Sequence, residues 1–169
     1  MSNTLPNPTT QPSPTKPIQM AISTPSSKEE PLYLAVIRYY TRQPGGSDRW
    51  SIFIRTTESE NGPLGLEYKI KDTGEKYMTY IAPKDGSKLG NIPHSMYVVR
   101  AITNDEAKAV REVAEREPRI SSADGENRAT ERWTFSVVTE LMKWGIAKPS
   151  DVEEVESMMA TRLDHGGVR

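Results

Sequence analysis

The stretch Asn127-Arg-Ala-Thr-Glu-Arg-Trp-Thr-Phe-Ser-Val-Val-Thr-Glu-Leu-Met-Lys-Trp-Gly145 predicts the strongest helix of the chain and decides its fold. One apolar stripe recurs at i, i+4, i+8 and i+11, formed by Trp133, Val137, Leu141 and Trp144. A second stripe lies on roughly the opposite side, formed by Phe135, Val138 and Met142. A surface helix carries a single apolar stripe, so we expect this helix to be mostly buried. Asn127 is its predicted N-cap and Gly145 its predicted C-terminal stop.

Five predicted strands precede this helix, at residues 32–40, 49–55, 66–71, 76–81 and 96–102. The first is apolar on both faces, which is typical of an interior strand. A shorter helix is predicted from Asn104 to the break at Pro118, and a last helix starts at a predicted capping box of Ser150 and Glu153. Strands followed by helices predict an α+β fold, with an antiparallel sheet of about five strands and three helices packed on it.

The chain divides into three predicted parts. Residues 1–30 hold many of the prolines among Ser, Thr, Asn and Gln, and such a segment buries too little apolar surface to offset its chain entropy. We expect a disordered tail there, a single α+β domain over residues 31–165, and a frayed C-terminus over residues 166–169. The tail carries one PxxP, at Pro14 and Pro17, which is either a docking segment or ordinary solvated chain.

The composition excludes several classes of partner and site. Lys and Arg number 22 against 23 Asp and Glu, with no basic block, so we expect no nucleic-acid partner. No apolar run approaches the ~20 residues that cross a membrane, and no signal peptide is visible, so a cytoplasmic protein without a membrane partner is expected. With no cysteine, and with His94 and His165 both lacking ligands at metal spacing, we expect neither a metal site nor a disulfide. No phosphate-binding glycine motif is present, and no cofactor is expected.

Thr130 is the notable polar position. It falls in the first turn of the main helix, on the sector of Trp133 and Val137, so its hydroxyl should point at the sheet beside the positive end of the helix dipole. The alternative is a capping or back-bonded hydroxyl with no role in chemistry.

Two short motifs resemble a known family. The segment Ala129-Thr-Glu-Arg-Trp-Thr134, followed by Val137-Val and Leu141, resembles the Asn-Cys-Gln-x-Trp-x helix start of small fungal proteins with a permuted, papain-like NlpC-type fold. Asp48-Arg-Trp-Ser-Ile-Phe-Ile54 resembles the His-Trp strand of the same proteins. The resemblance places Thr130 where the catalytic Cys would be, Glu131 where the Gln would be, and Arg49 where the His would be.

This resemblance implies a papain-like fold that has lost its peptidase chemistry. Cysteine catalysis needs a thiolate and a base, and a guanidinium cannot accept a proton. The resemblance implies that the former active-site cleft of the peptidase would remain. Arg49 and Thr130 would act as hydrogen-bond donors in any catalysis there. The predicted substrate-binding residues are Ser51, Phe53, Trp133, Trp50 and Glu131; Trp50 lies on the opposite strand face from Arg49.

Two functions remain open. In the first, the pocket binds a small apolar molecule and, if it is an enzyme, promotes a cyclisation or isomerisation without a cofactor, as in secondary metabolism. In the second, the protein is a non-catalytic interaction scaffold that docks a partner through its sheet edge or its Pro-rich tail.

Deletion of residues 1–28 tests the predicted tail. Because a disordered segment makes no lasting contacts, we expect its removal to change the free energy of unfolding by less than about 0.5 kcal/mol. Urea denaturation of the full chain and of the deletion variant measures this. A clear loss of stability would show that the tail packs on the domain.

Overall fold

A computed structural model describes residues 31–41, 48–57, 62–84, 87–89, 94–117 and 119–161. Its strands are β1 Leu32–Tyr39, β2 Arg49–Thr57, β3 Leu64–Lys71, β4 Thr79–Ile81, β5 Ser87–Lys88 and β6 His94–Ile102. Its helices are α1 Asn104–Arg116, α2 Glu126–Lys143 and α3 Pro149–Ala160, with a short 3-10 turn at Ser122–Asp124. The predicted α+β class is confirmed. The predicted tail, and the predicted end of the domain beyond Thr161, lie outside the described residues.

The sheet is antiparallel throughout, with the order β4-β3-β2-β1-β6. The short strand β5 was not predicted; it pairs with the start of β3. The interior position predicted for β1 is confirmed, because β2 and β6 flank it. On β6 the register shifts between Leu34–Arg100 and Ala35–Val98, so Val99 is the extra residue of a β-bulge.

Strand β3 begins two residues earlier than predicted. The prediction missed this start because Gly65 weakens the strand pattern in the sequence. Gly65 pairs with Arg55 of β2. A Cβ atom there would lie 2.1 Å from the carbonyl oxygen of Ile54 and 2.7 Å from the ring of Phe53. Only glycine therefore allows β2 and β3 to approach this closely.

Both faces of the sheet are buried at its centre. Alternate residues of β1, β2 and β3 pack against the helices, including Leu34, Val36, Trp50, Ile52, Ile54, Tyr68 and Ile70. The residues between them form a second buried cluster on the other face, which comprises Ala35, Ile37, Tyr39, Phe53 and Leu89. The sheet therefore separates two sets of side chains that alternate along the same strands.

Helix α2 is mostly buried, as its two apolar stripes predicted. It packs chiefly on β2, and Trp133, Val137, Val138 and Leu141 belong to the main core. Trp144 was expected in the first stripe, but it is 41% exposed because it lies at the end of the helix. Gly145 confirms the predicted stop: it has a φ of 74°, and Ile146 N–H donates to the Leu141 carbonyl, as in a Schellman ending.

The predicted N-caps were wrong by one to two residues. Gly125, with a φ of 79°, precedes α2 in place of Asn127. Thr103 caps α1 in a capping box with Glu106. Lys148 precedes α3, and its backbone N–H donates to Asp151, so the expected pair of Ser150 and Glu153 is not the cap. In each case the backbone begins to turn before the residue that the sequence favoured.

A buried arginine joins distant parts of the chain. Arg38 is only 6% exposed, and its Nε donates to Asp48 Oδ2 at 2.6 Å. Its two terminal nitrogens donate to the carbonyls of Met158, at 2.8 Å, and Thr161, at 2.7 Å, at the end of α3. The guanidinium also lies 5.3 Å from the ring of Trp50. Every side of this buried charge therefore meets an acceptor or an aromatic ring.

Arg38→Met tests the weight of this contact. The variant leaves a nearly buried carboxylate and two helix-end carbonyls without their donor, so we expect a loss of about 3–5 kcal/mol in the free energy of unfolding. Arg132→Met is the matched control, since Arg132 pairs with Asp124 on the surface and should cost less than about 1 kcal/mol. Urea denaturation measures both. Equal losses in the two variants would contradict the assignment.

Candidate functional site

The predicted site residues of β2 fall on two sides of the sheet. Ser51 and Phe53 lie in the buried cluster on the face away from the helices, and Trp50 lies in the helix-side core, as its alternation with Arg49 indicated. Arg49 is exposed at the start of the strand. Its guanidinium lies 3.8 Å from the Glu126 carboxylate and 5.6 Å from the Tyr39 ring centroid.

Thr130 is buried in the first half of α2, and its hydroxyl is fully occupied by backbone groups. It donates to the Asn127 carbonyl at 2.8 Å and accepts from the Trp50 backbone N–H at 3.2 Å. The pairing of β2 with β3 starts only at Ile52, so this hydroxyl stands where a strand carbonyl would otherwise accept. The back-bonded alternative for Thr130 is therefore what the structure shows.

The predicted site residues are not brought around one cavity. Trp133 is buried in the core on the helix side, and Glu131 is half-buried on α2. Arg49 contacts Glu126 and Tyr39, while the Thr130 hydroxyl is taken up by Asn127 and Trp50. The alternation in the sequence correctly placed Trp50 and Arg49 on opposite faces of the strand. It could not show how the first half of α2 contacts the start of β2.

A polar cluster lies on the face of the sheet away from the helices. The Tyr39 hydroxyl donates to Glu67 at 2.6 Å, and Lys69 donates to the same carboxylate at 2.7 Å. Burial, with Glu67 beside it, raises the pKa of Tyr39 well above its ordinary value. Burial alone would raise the pKa of Glu67, but the hydrogen bonds from Lys69 and Tyr39 outweigh it and lower that pKa. Glu67 is therefore a half-buried carboxylate whose hydrogen bonds and ion pair are satisfied.

Ser51 beside this cluster lacks what a nucleophile needs. It is fully buried, and its hydroxyl lies beside Tyr39 and Glu67 without a hydrogen bond of good geometry to either. A serine nucleophile needs a base within hydrogen-bond reach. The His94 ring instead lies 6.0 Å from the Tyr39 ring. The nearby Glu67 carboxylate is already bonded to Tyr39 and Lys69, so it is not free to act as a base for Ser51.

An open cleft of about 520 Å³ lies on the other side, between the β4 edge and the C-terminal end of α1. We call it the Trp133 cleft, because Trp133 of α2 contributes to its lining from the core. One wall is the segment from Glu75 to Tyr80, and the other includes Ala114, Glu115, Glu117, Arg119 and Ile120. Trp133 is the only predicted site residue among those that line it.

Backbone hydrogen bonds fix the two walls of the Trp133 cleft to each other. Met78 N–H donates to the Ile120 carbonyl at 2.9 Å, and Ser122 N–H donates to the Lys76 carbonyl at 3.2 Å. Tyr77 and Ser121 form an isolated antiparallel bridge between them. The α1–α2 connection thus adds backbone pairing to the segment before β4, and main-chain hydrogen bonds fix the position of one wall relative to the other.

Two lining residues, Tyr80 and Glu117, have hydrogen-bonding and protonation properties that the sequence did not reveal. The Tyr80 hydroxyl is shielded from solvent and has no hydrogen-bond partner. Burial, with Tyr68 and Glu115 nearby, raises the pKa of Tyr80 to about 12, so it stays a neutral donor. Burial and the charge of Glu140 raise the pKa of Glu117. The sequence showed Tyr80 only as a strand residue and Glu117 only as the end of a helix.

Neither a metal-ion site nor a membrane-spanning helix is found among the described residues. No group of three or more His, Asp or Glu side chains that could hold a metal ion occurs among them. Among the helices described, none combines the length and hydropathy that crossing a membrane requires.

Comparison with known proteins identifies no relative. No protein-family model matches this chain, and neither curated proteins nor solved structures gave a significant match. The resemblance to papain-like proteins therefore remains a prediction.

Thr130→Val tests the backbone role of this hydroxyl. The variant keeps the shape of the side chain but leaves the buried Trp50 N–H without an acceptor, so the free energy of unfolding should fall by about 1–3 kcal/mol. Thr134→Val is the matched control one turn later, since the Thr134 hydroxyl is buried with no partner. Its removal should be neutral or slightly stabilising. Chemical denaturation measures the free energy of unfolding of both variants. Equal losses of stability would contradict the backbone role of the Thr130 hydroxyl.

Proposed function

We propose that this protein binds a small, largely apolar organic molecule in the Trp133 cleft. The observation that carries the proposal is the cleft itself, about 520 Å³ in size and lined by Trp133, Tyr77, Tyr80 and Met78. Ligand sites of this size combine apolar and aromatic walls with a few polar groups that fix orientation. Walls held together by main-chain hydrogen bonds provide such a site without a costly rearrangement.

The Tyr80 hydroxyl supports a ligand that carries an oxygen acceptor. A buried donor without a partner costs free energy in the folded protein. A carbonyl or hydroxyl oxygen of a ligand would remove that cost and gain a hydrogen bond. The raised pKa keeps the proton on Tyr80 at neutral pH, as a donor requires.

A cofactor-free cyclisation or isomerisation at this site remains a prediction. A neutral phenol can donate to an oxygen that gains negative charge during the reaction, and a carboxyl with a raised pKa is suited to proton transfer. Tyr80 and Glu117 both line the Trp133 cleft and would fill these roles. A catalytic role for Arg49 and Thr130 also remains a prediction, and their observed contacts do not support it.

We also propose a papain-like arrangement for the α+β fold. The support is the contact of the Thr130 hydroxyl with the Trp50 backbone, which sets the start of the buried helix α2 against the start of β2. In the family that the sequence resembles, these two elements would carry the Cys and the His. Because Thr130 and Arg49 stand at those positions, the proposal does not include peptidase activity.

An interaction scaffold is the second candidate, favoured by strand β6. This strand has nine residues and stands at an edge of the sheet in the described part of the chain, and Val98 on it is 39% exposed. An edge strand can pair with an extended segment of a partner. The bulge at Val99 interrupts the edge, which weakens this alternative.

Tyr80→Phe tests the ligand proposal with the fluorophore prodan, a neutral naphthalene that carries a carbonyl acceptor. We expect prodan to bind the full chain and to lose about fivefold in affinity on this substitution, the equivalent of one neutral hydrogen bond of ~1 kcal/mol. Stability should stay unchanged or rise, because the hydroxyl has no partner. Fluorescence titration and thermal melting measure the two effects.

Tyr39→Phe is the control for this experiment. It removes a hydroxyl on the other sheet face that is bonded to Glu67, so it should lower stability and leave prodan binding unchanged. Absence of prodan binding to the wild type, or equal affinity for wild type and Tyr80→Phe, would contradict the proposed donor.

A further inference from the structure

Resting on the interaction-scaffold candidate, we infer that the first part of strand β6, from His94 to Val98, docks an extended basic peptide of a partner protein. This docking site is independent of ligand binding in the Trp133 cleft, which lies at the opposite edge of the sheet. Two features define it. They are a sheet edge that no described strand covers and an acidic helix beside that edge.

The outer side of β6 offers main-chain hydrogen bonds to a partner. Strand β1 pairs with one side of β6, and no described strand pairs with the other. On an edge strand, alternate residues direct their N–H and C=O groups away from the sheet, where an added strand can use them. The register with β1 is regular from His94 to Val98, and the bulge at Val99 follows only after it. This stretch therefore keeps the pattern that an added strand needs.

The same stretch lacks the residues that commonly block a sheet edge. It contains no lysine and no proline. Val98 is 39% exposed, and it pairs with Ala35, so its side chain lies on the face away from the helices. An apolar side chain of an added strand beside Val98 would remove apolar surface of both from water.

Helix α3 lies beside this stretch and carries charge of one sign. It contains Asp151, Glu153, Glu154 and Glu156 and no basic residue. The Tyr97 hydroxyl donates to Asp151 at 3.2 Å, which places the start of α3 next to β6. Burial, Asp151 and the nearby charge of Glu154 raise the pKa of Tyr97. The three glutamates are exposed and form no ion pair within the described part of the chain.

These features define the sequence of the partner segment. Successive side chains of an added strand point to opposite faces, so one set would face α3 and the other would lie beside Val98. Lysine or arginine in the first set would meet Glu154, and apolar residues in the second would cover Val98. Arg100 does not oppose such a peptide, because it lies beyond the bulge and is bonded to Glu106 and the Ile146 carbonyl.

A second copy of this chain fits the edge less well than a basic peptide. In an antiparallel pair of two β6 strands, a twofold axis perpendicular to the sheet relates the copies. Both α3 helices would then lie on the same side of the joined sheet. Their glutamates have the same charge, so the two helices would repel each other.

Three fluorescein-labelled heptapeptides test the docking site on the full chain by fluorescence anisotropy. The first is Val-Lys-Val-Lys-Val-Lys-Val, and the second has Glu in place of Lys. The third is the first with every peptide nitrogen methylated, so it keeps its charge but has no main-chain donors. We expect the first peptide to bind at least tenfold more tightly than either of the others. Added salt should weaken its binding.

Glu154→Gln and Val98→Lys locate the contact on the protein. Each should reduce the affinity for the lysine peptide several-fold, the first by removing a carboxylate and the second by adding a like charge to the edge. Glu115→Gln is the matched control, since Glu115 is an exposed carboxylate on α1 beside the Trp133 cleft, and it should change nothing. Thermal melting confirms that each variant is folded. Hydrogen exchange at His94–Val98 should slow when the peptide is bound.

Several outcomes would overturn the docking site. They are a glutamate or N-methylated peptide that binds as tightly as the lysine peptide, unchanged hydrogen exchange at His94–Val98 in the complex, or no binding of any peptide. A dimer in sedimentation equilibrium that Val98→Lys dissociates would assign the edge to a second copy instead. None of these results bears on the Trp133 cleft, which the prodan titration tests separately.

Discussion

The packing of α2 on β2 is the contact on which the rest of the structure depends. Helix α2 brings its buried side chains onto the helix-side residues of the strand, and the Thr130 hydroxyl joins the two backbones at one end. This hydrogen bond fixes where along the strand the helix lies, because it satisfies a buried N–H that β3 does not reach. The Trp133 cleft follows from this placement, since α2 delivers Trp133 to a site between α1 and the β4 edge.

The two faces of the sheet differ in the polar groups that they carry. The face away from the helices holds a half-buried carboxylate, Glu67, which is paired with Tyr39 and Lys69. The helix side ends in a cleft that Tyr80 lines, and the Tyr80 hydroxyl has no such partner. Native proteins rarely leave buried polar groups unsatisfied without a reason. We place ligand binding in the cleft because it is open and is lined by Tyr80, whose hydroxyl is unsatisfied.

Much of the fold was predictable from the sequence, because it depends on periodicity. The alternation in β1 and β2 and the two stripes of α2 follow directly from local spacing, as does the reversal at Gly145. Helix starts were less accurate, since Gly125 takes the place that Asn127 would favour. The short strand β5 was missed because two residues are too few to show a pattern.

The site was less predictable than the fold, because it depends on how separate elements meet. Trp133 was predicted to line a cleft with Arg49 and Thr130, but it lines one with Tyr77, Tyr80 and Glu117, which come from two other parts of the chain. Their proximity results from backbone pairing between the α1–α2 connection and the segment before β4. No local spacing encodes that pairing. In the same way, the sequence could not show that the Thr130 hydroxyl would be used by Trp50.

The contacts of Arg38 have a consequence for the order of folding during synthesis. Its carbonyl partners lie 120 and 123 residues further along the chain. Asp48, its carboxylate partner, follows β1 closely, but these two carbonyl acceptors do not exist until α3 has been made. Strands β1, β2 and β3 can pair in sequence as a local meander, but the two terminal nitrogens of Arg38 must stay hydrated until the end of α3 is present. The contacts between Arg38 and the end of α3 therefore form only after the last helix of the described chain has been synthesised.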